Sequence, residues 1–386
     1  MSRSKQWMRS LDRAVGIPLI AALGALRQRK PLPADPRRIG IIIPTAIGDT
    51  ILASGVVWEI ARRYPSAALT VFHGASNASA VRMIDAPLRG VQCNFTWPFA
   101  ALKALRAEGL DLIVDLTPWT RMTAICARLA APVTVGFESD GQGRAAAFDI
   151  ASAHRIDRHE AENHAELARL FGASHYRPQL KTECYAAPPD LALDRLVVCH
   201  TTAGGSQAVA KAWPDENWSQ LIRILVSEGW QAALTGAASD APKVDAILAG
   251  AGAPAPQAFS LCGKLSLPEL GDLLRRARLL ITIDTGVLHL GSTVEANIVA
   301  LHGPTLSSRW GARNTGATSL DSPHPDAGYI AFGYEIHPRG EETMRAHSVE
   351  AVARAALSRL ALSKAAEEPS AQADAESRAL HLESGI

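Results

Sequence analysis

The feature that most constrains the fold is a series of short, almost entirely apolar runs that recur along the chain. Stretches with the spacing of amphipathic helices separate them, for example Ile51–Tyr64, Glu216–Glu228 and Pro268–Arg278. Short apolar runs suit strands that are buried on both faces of a parallel sheet, and their alternation with helices is typical of α/β proteins. The predicted strands are Ile39–Ile43, Leu69–Phe72, Leu112–Leu116, Leu196–His200, Ala232–Thr235, Leu279–Ile283 and Ile298–Leu301.

The alternation pauses between residues 178 and 195, where Pro178, Pro188 and Pro189 occur and no clear periodicity is present. A chain of 386 residues has room for two domains at roughly 150 residues each. We therefore predict two Rossmann-like domains, 39–180 and 190–345, which face each other across a cleft. A C-terminal helix at 346–362 and a disordered tail at 363–386, rich in Ala, Ser and Glu, complete the prediction.

Composition excludes several classes of protein. The chain has 39 basic and 38 acidic residues, so it lacks the basic excess that is typical of nucleic-acid-binding proteins. Its five cysteines form no CxxC pair, and their number is odd. These counts argue against a disulfide framework or a zinc ribbon and favour a reducing compartment, the cytoplasm.

Residues 1–38 differ from the rest of the chain in charge. They contain nine Lys or Arg against two Asp, and the apolar run Val15–Leu26 lies among them. This run is shorter than the roughly 20 residues that span a bilayer, and no clear signal-peptide cleavage site follows it. The segment fits a helix that lies on an anionic membrane surface, but a packed N-terminal helix or an unstructured leader remains an alternative.

Ligands of open parallel sheets bind beyond the carboxyl ends of the strands, so the residues that follow each run are candidate site residues. Gly48 and Asp49 follow the first run and precede a helix. Gly48 permits a tight turn and a close approach of the backbone to another group. Asp49 is either an ordinary N-cap or a carboxylate that acts as a general base in the cleft.

The second domain has a loop of a different kind after Leu196–His200. Thr201 and Thr202 begin it, two glycines follow, and Lys211 comes before the next helix. Small residues, hydroxyl groups and a lysine suit a phosphate group, although the Walker A pattern is absent. The alternative is a flexible loop with a solvated lysine.

Three further strand ends of the second domain carry polar residues. Asp240 suits a ribose hydroxyl or the cap of the next helix. Asp284 and His289 flank the start of a helix whose amides suit an anion, although a core histidine is the alternative for His289. The candidates at these three ends are Asp240, Asp284, Thr285, Gly286, His289 and Thr305. No metal is predicted, because His154, His159 and His164 lack the HExxH spacing.

Four motifs resemble glycosyltransferase family 9, the ADP-heptose:lipopolysaccharide heptosyltransferases, over roughly residues 38–315. The resemblance implies the GT-B fold, in which two Rossmann-like domains enclose the active site. The Thr201-Thr202 pair is similar to the heptosyltransferase I branch in particular. The matching motifs are Ile47-Gly48-Asp49, Lys211-x-Trp213-Pro214, Asp284-Thr285-Gly286-x-x-His289 and Gly303-Pro304-Thr305.

By this resemblance Asp49 is the catalytic base, and the donor is held by Thr201, Thr202, Lys211, Asp284, Thr285, Gly286 and His289. The implied reaction is an inverting transfer of heptose from ADP-heptose to a lipopolysaccharide inner core or related glycolipid, without cofactor, at the cytoplasmic face of the inner membrane. Asp240 stands where the family usually has Glu. This departure keeps open a transferase with another donor or acceptor, or a non-catalytic nucleotide-binding relative.

Overall fold

The computed structural model describes residues 6–25, 28–188, 191–205, 207–333 and 335–363. The predicted disordered tail, 363–386, lies outside these residues except for Ser363. Six parallel strands form the first sheet: β1 Arg38–Ile43, β2 Ala68–His73, β3 Leu88–Gln92, β4 Leu112–Asp115, β5 Val133–Ser139 and β6 Ile150–His154. Their order across the sheet is β3-β2-β1-β4-β5-β6.

A second sheet repeats this arrangement. Its parallel strands are β7 Leu196–His200, β8 Gln231–Thr235, β9 Ala258–Ser260, β10 Leu279–Ile283, β11 Ile298–His302 and β12 Ala317–Asp321. The order is β12-β11-β10-β7-β8-β9, which is the order of the first sheet read from the opposite edge. It is also the strand order of the Rossmann fold. The predicted fold class, α/β with two Rossmann-like domains, is therefore confirmed, and each predicted apolar run coincides with a strand.

The helices lie between the strands in sequence. They are α1 Gln6–Ala25, α2 Ile47–Arg63, α3 Ala78–Met83, α4 Pro98–Ala107, α5 Arg121–Ala130, α6 Glu160–Arg169, α7 Asp215–Ser227, α8 Ala241–Ala251, α9 Leu267–Arg276, α10 Gly286–Thr293, α11 Ser307–Trp310, α12 Glu342–Arg345 and α13 349–363. Short 3₁₀ turns occur at Arg144–Ala147, Leu193–Arg195 and Ala238–Asp240.

Helices cover both faces of each sheet, which explains why the central strands are apolar throughout. Ile41 packs with residues of α2 and α6, whereas its neighbour Ile42 points to the opposite face and packs with α4 and α5. Both side chains are fully buried. Burial of such a side chain stabilises the fold by about 1.5–3 kcal/mol, so each strand contributes to two cores.

The segment that joins the sheets is attached to both domains by backbone hydrogen bonds. On the first domain, the amide of Lys181 donates to Met83 O over 2.7 Å. On the second, the amide of Glu183 donates to Pro268 O and that of Tyr185 donates to Asp272 Oδ2 over 3.0 Å. Only Thr182 lies between the last bond to the first domain and the first bond to the second.

Helix α1 packs on the first domain. Ile20 is fully buried against α5 and the 3₁₀ turn at Arg144–Ala147, whereas Val15 and Leu19 on the other side of the helix are exposed. Within the described residues, no helix combines the length and the apolar character that crossing a membrane requires. One side of the predicted surface segment is thus part of a core, and the other side is uncovered.

Candidate active site

The N-termini of α2 and α10 each follow the carboxyl end of a strand, and these two helix starts are in direct contact. A Cβ at Gly48 would lie 2.8 Å from His289 Cδ2, and a Cβ at Gly286 would lie 2.7 Å from Ile47 Cγ2. Real Cβ atoms do not approach so closely, so only glycine permits this packing at either position. The structure therefore brings predicted residues of the two domains together.

Asp49 lies in the first turn of α2 and is half-buried. Its interpretation as an N-cap is wrong, because Ala46 occupies the N-cap position. Ala46 has a φ of 51°, a conformation that costs a non-glycine residue about 1–3 kcal/mol and that tends to occur at functional sites. The carboxylate of Asp49 lies within electrostatic range of the Arg309 guanidinium, on the second domain.

Asn77 fixes the turn that presents Asp49. Its Nδ2 donates to Ile43 O and to Thr50 Oγ1, both over 2.8 Å, and its side chain is fully buried. The hydroxyl of Thr50 in turn donates to Ala46 O over 2.8 Å. Sequence reasoning missed Asn77, since it lies on another loop and only the folded chain brings it under the turn.

Asp284, directly after β10, is the centre of the polar cluster in the second domain. Lys211 Nζ donates to its Oδ2 over 2.8 Å and to its main-chain oxygen over 3.2 Å. The Thr305 hydroxyl donates to the same Oδ2 over 2.8 Å, and His289 Nε2 lies 4.0 Å from Oδ1. Thr285 caps α10, because its hydroxyl accepts from the amide of Val287.

Burial and charge act in opposite directions on this cluster. Burial by itself raises the pKa of Asp284, but the positive charge of Lys211 and neighbouring groups outweigh it and hold the pKa well below its ordinary value. Burial lowers the pKa of His289 to about 4, although the charge of Asp284 opposes this shift. At neutral pH the cluster therefore consists of an ionised Asp284 and a neutral His289.

Thr202 and Asp240, predicted for different parts of the donor, lie side by side. The Thr202 hydroxyl donates to Asp240 Oδ2 over 3.0 Å, and the Ala237 amide donates to the same oxygen over 2.8 Å. Thr201 is fully buried, and its hydroxyl has no hydrogen-bond partner within the described part of the chain. Asp240 thus supports the turn after β8 through one oxygen.

A buried ion pair joins the two domains next to this site. Arg309 Nη2 lies 3.2 Å from Glu160 Oε2, and His159 Nε2 lies 2.9 Å from Gly311 O. Burial alone would raise the pKa of Glu160, but the hydrogen bond from His154 and nearby positive charges lower it to about 2. Sequence reasoning dismissed this His-rich stretch and missed Arg309, whose short helix carries no periodic pattern.

His154, His159 and His164 contact groups of the protein itself. His154 Nε2 lies 2.8 Å from Glu160 Oε1, and His164 packs edge-on against Phe137. In residues 6–25, 28–188, 191–205, 207–333 and 335–363, no group of three or more His, Cys, Asp or Glu side chains is arranged to hold a metal ion.

Comparison with known proteins identifies the family to which the chain is related. The model of glycosyltransferase family 9 (heptosyltransferase) matches residues 99–327, which is more than half of the chain. The lipooligosaccharide heptosyltransferase 2 of Haemophilus influenzae is 31% identical over 103 residues, which cover 26% of this chain and 30% of that protein. The lipopolysaccharide heptosyltransferase 3 of Escherichia coli is 27% identical over 290 residues, 68% of this chain and 82% of that protein.

A solved structure agrees with the fold. The Escherichia coli ADP-heptose lipopolysaccharide heptosyltransferase II superposes with a TM-score of 0.65 at 19% sequence identity, covering 85% of this chain and 99% of that one. Identity this low establishes the shared fold alone, whereas the family model also matches in sequence. The chain therefore belongs to glycosyltransferase family 9, the heptosyltransferase family, and is a glycosyltransferase.

Proposed function

We propose that this protein transfers heptose from ADP-heptose to a lipopolysaccharide inner-core or related glycolipid acceptor, with inversion at the anomeric carbon. The observation that carries the proposal is the contact between α2 and α10. The turn that holds Asp49 packs against the start of α10, which follows Asp284, the ion-pair partner of Lys211. The named relatives are lipopolysaccharide heptosyltransferases, and the related structure is of an enzyme for ADP-heptose, which supports this choice of substrates.

The donor diphosphate would bind at the start of α10. Amides at Gly286 and beyond provide a helix N-terminus, which favours an anion. Lys211 Nζ has three N–H donors and uses two of them on Asp284, so one is left for a phosphate oxygen. Asp284 thereby orients the lysine, and His289, neutral at physiological pH, can donate a hydrogen bond without adding charge.

Asp49 would act as the general base. Its carboxylate takes the proton of the acceptor hydroxyl while that oxygen bonds to the anomeric carbon and the bond from that carbon to the diphosphate breaks. ADP leaves with the electron pair of the broken bond. The charge that develops on it is stabilised by Lys211 and the amides of α10, the kind of electrostatic stabilisation that usually contributes most to catalysis.

The acceptor would be reached from a membrane surface. The N-terminal 38 residues are strongly basic, and the outer side of α1 leaves Val15 and Leu19 uncovered. Such a helix binds anionic lipid headgroups through charge and through its apolar side chains. We therefore expect the enzyme to work at the cytoplasmic face of the inner membrane, where a glycolipid acceptor would be available.

The test measures ADP release and the mass of the product, with ADP-heptose and an inner-core lipopolysaccharide acceptor. Asp49→Asn should reduce turnover by roughly 100- to 10,000-fold, the usual contribution of a general base. Its affinity for ADP should not change. Because Asp49 lies in the first turn of α2, loss of its charge should cost at most about 1 kcal/mol of stability.

Asp245→Asn is the matched control, since Asp245 is an exposed acid on α8, away from the contact between the domains. It should keep full activity. Near-normal turnover by Asp49→Asn on a verified donor and acceptor would overturn the assignment of the base. Absence of any transfer by the unaltered protein, together with intact ADP binding, would favour the non-catalytic alternative.

The identity of the nucleotide sugar is tested separately, because Asp240 differs from the family's usual residue at this position. One of its oxygens accepts from Thr202 and Ala237, and the shorter side chain replaces the Glu of the family. A screen of nucleotide sugars with mass spectrometry of the product decides between ADP-heptose and another donor. Preferential turnover of a sugar linked to a different nucleotide would replace ADP-heptose in the proposal.

A further inference from the structure

Half of the large apolar side chains that are exposed in the described part of the chain belong to one layer of helices. Trp97 and Phe99 at the start of α4 are the most prominent, with 71% and 88% of their surfaces exposed. Val15 and Leu19 lie on α1, and Leu129 lies on α5. The remaining five are scattered: Ile156, Val209, Leu306, Ile336 and Leu362.

The three helices lie side by side. Helices α4 and α5 pack on the same face of the first sheet, where Ala101 of α4 shares a core with Cys126 of α5. The neighbouring residues Ala124 and Ile125 of α5 pack instead with Ile20 of α1. Helix α5 therefore lies between α1 and α4, and the exposed apolar residues of all three helices belong to a single layer.

Helix α4 adds exposed positive charge to this layer. The two arginines of α5, Arg121 and Arg128, are buried, and Arg128 pairs with Asp149, so the exposed positive charge that the structure describes on these three helices lies on α4. Lys103 and Arg106 are exposed. They follow Phe99 at helical spacings of four and seven residues, so they lie on the same side of α4 as its aromatic ring.

We propose that the outer surface of α1, α5 and α4 binds the surface of an anionic lipid bilayer, and that Trp97 and Phe99 enter its interfacial region. Aromatic rings are enriched at the boundary between headgroups and acyl chains. Basic side chains around them bind anionic headgroups, so the combination suits a membrane surface rather than a span. The exposed cations Lys103 and Arg106 would be repelled by those of a second copy of the same surface, which disfavours that occupant.

The position of Trp97 links this surface to the proposed reaction. Trp97 follows the carboxyl end of β3, and Asp49 follows the carboxyl end of β1 in the same parallel sheet. Both residues therefore lie on the side of the sheet where the carboxyl ends of the strands are. Contact of Trp97 with the bilayer would bring the carboxyl ends of these strands close to it, where a lipid-anchored acceptor could reach Asp49. This consequence rests on the proposed function, but the binding itself does not.

The experiment measures sedimentation of the full chain with phosphatidylcholine vesicles that contain phosphatidylglycerol, without donor or acceptor. The double variant Trp97→Ser/Phe99→Ser should bind about 10- to 100-fold more weakly, because two large apolar side chains are lost from the interface. Leu362→Ser, which removes an exposed apolar side chain from α13, should bind like the unaltered protein. Omitting phosphatidylglycerol should weaken the binding of every form.

A fluorescence measurement tests insertion directly. Trp97→Phe should keep the affinity for vesicles but lose part of the quenching that lipids with brominated acyl chains cause in the unaltered protein. Equal vesicle binding by the Ser double variant and the unaltered protein would overturn the proposal. So would the finding that the double variant abolishes dimers or larger oligomers in lipid-free solution, which would identify a second copy as the occupant. Neither result depends on sugar transfer, so the proposed function is tested separately.

Discussion

Replacing Lys211 by methionine removes the cation that neutralises a buried carboxylate and keeps most of the apolar stem of the side chain. Asp284 is 5% exposed, and it would retain the hydrogen bond from Thr305 but lose both contacts from Nζ. Breaking a buried ion pair at one partner costs roughly 3–5 kcal/mol. The Lys211 side chain is 22% exposed, so we expect the lower end of this range, about 3 kcal/mol.

Scanning calorimetry measures this loss. For a domain of 150–250 residues, 1 kcal/mol corresponds to about 2–4 °C, so the melting temperature of the second domain should fall by about 6–12 °C. The double variant Lys211→Met/Asp284→Asn should recover much of the loss, because the buried carboxylate is replaced by a neutral amide. If Lys211 also holds the diphosphate, Lys211→Met should bind ADP roughly 10- to 150-fold more weakly.

The pH dependence gives a second, independent result. In the unaltered protein the pKa of Asp284 is lowered, so the ion pair contributes stability above the ordinary carboxyl pKa, and this is lost only as the pH falls through the lower folded pKa. Without Lys211, burial is the largest remaining influence and raises the pKa. The difference in stability between the two proteins should therefore be largest at neutral pH and shrink toward pH ~5. A difference that is independent of pH, or below about 1 kcal/mol, would refute the reasoning.

Three further substitutions test other parts of the structure. Ile20→Ala should lower the free energy of unfolding by about 2–5 kcal/mol in urea titrations, whereas Leu19→Ala, at an exposed position of the same helix, should change it by less than about 0.5 kcal/mol. Glu160→Gln should cost about 3–5 kcal/mol by leaving the buried guanidinium of Arg309 without its carboxylate. Glu162→Gln is the control: Glu162 is half-buried and its ion pair with Arg313 is open to solvent, so the cost should be below about 1 kcal/mol. Asp240→Ala should weaken ADP binding by up to about 10-fold in calorimetry, and an unchanged affinity would limit Asp240 to its role in the turn.

The sequence predicted the central strands well because burial on both faces makes them apolar throughout. It missed the strands whose residues do not form such a run, including the interior strand β5, which contains Thr134, Gly136 and Glu138. Strand β3, Leu88–Gln92, is an edge strand of the first sheet, and its Arg89 and Gly90 are exposed. Strand β12, Ala317–Asp321, is an edge strand of the second sheet, and most of its residues are half-buried. An edge strand faces solvent along one side, so its composition resembles that of a loop.

For the candidate site, too, the sequence predicted what depends on neighbouring residues and missed what depends on residues far apart in the chain. Short motifs identified Asp49, Lys211 and Asp284 as candidates, because the loops that follow parallel strands meet at the carboxyl end of the sheet. The packing of the two helix starts could not be read from either motif alone, since it depends on how the two domains dock. The pairing of Arg309 with Glu160 joins residues separated by 149 positions and likewise depends on the docked domains.

Thr182 is the single residue between the hydrogen bonds that attach the linker to the first domain and those that attach it to the second, and this limits how the cleft can change shape. Among the described residues the chain passes from one sheet to the other once, at Thr182, since α13 packs in the core of the second domain. Any opening would therefore be a rotation about a few backbone torsions, and the two half-sites would keep a high effective concentration for each other throughout. Closing orders almost no additional chain, so its conformational entropy cost is small. A few glycines inserted beside Thr182 would convert this fixed pivot into a flexible tether and lower that effective concentration.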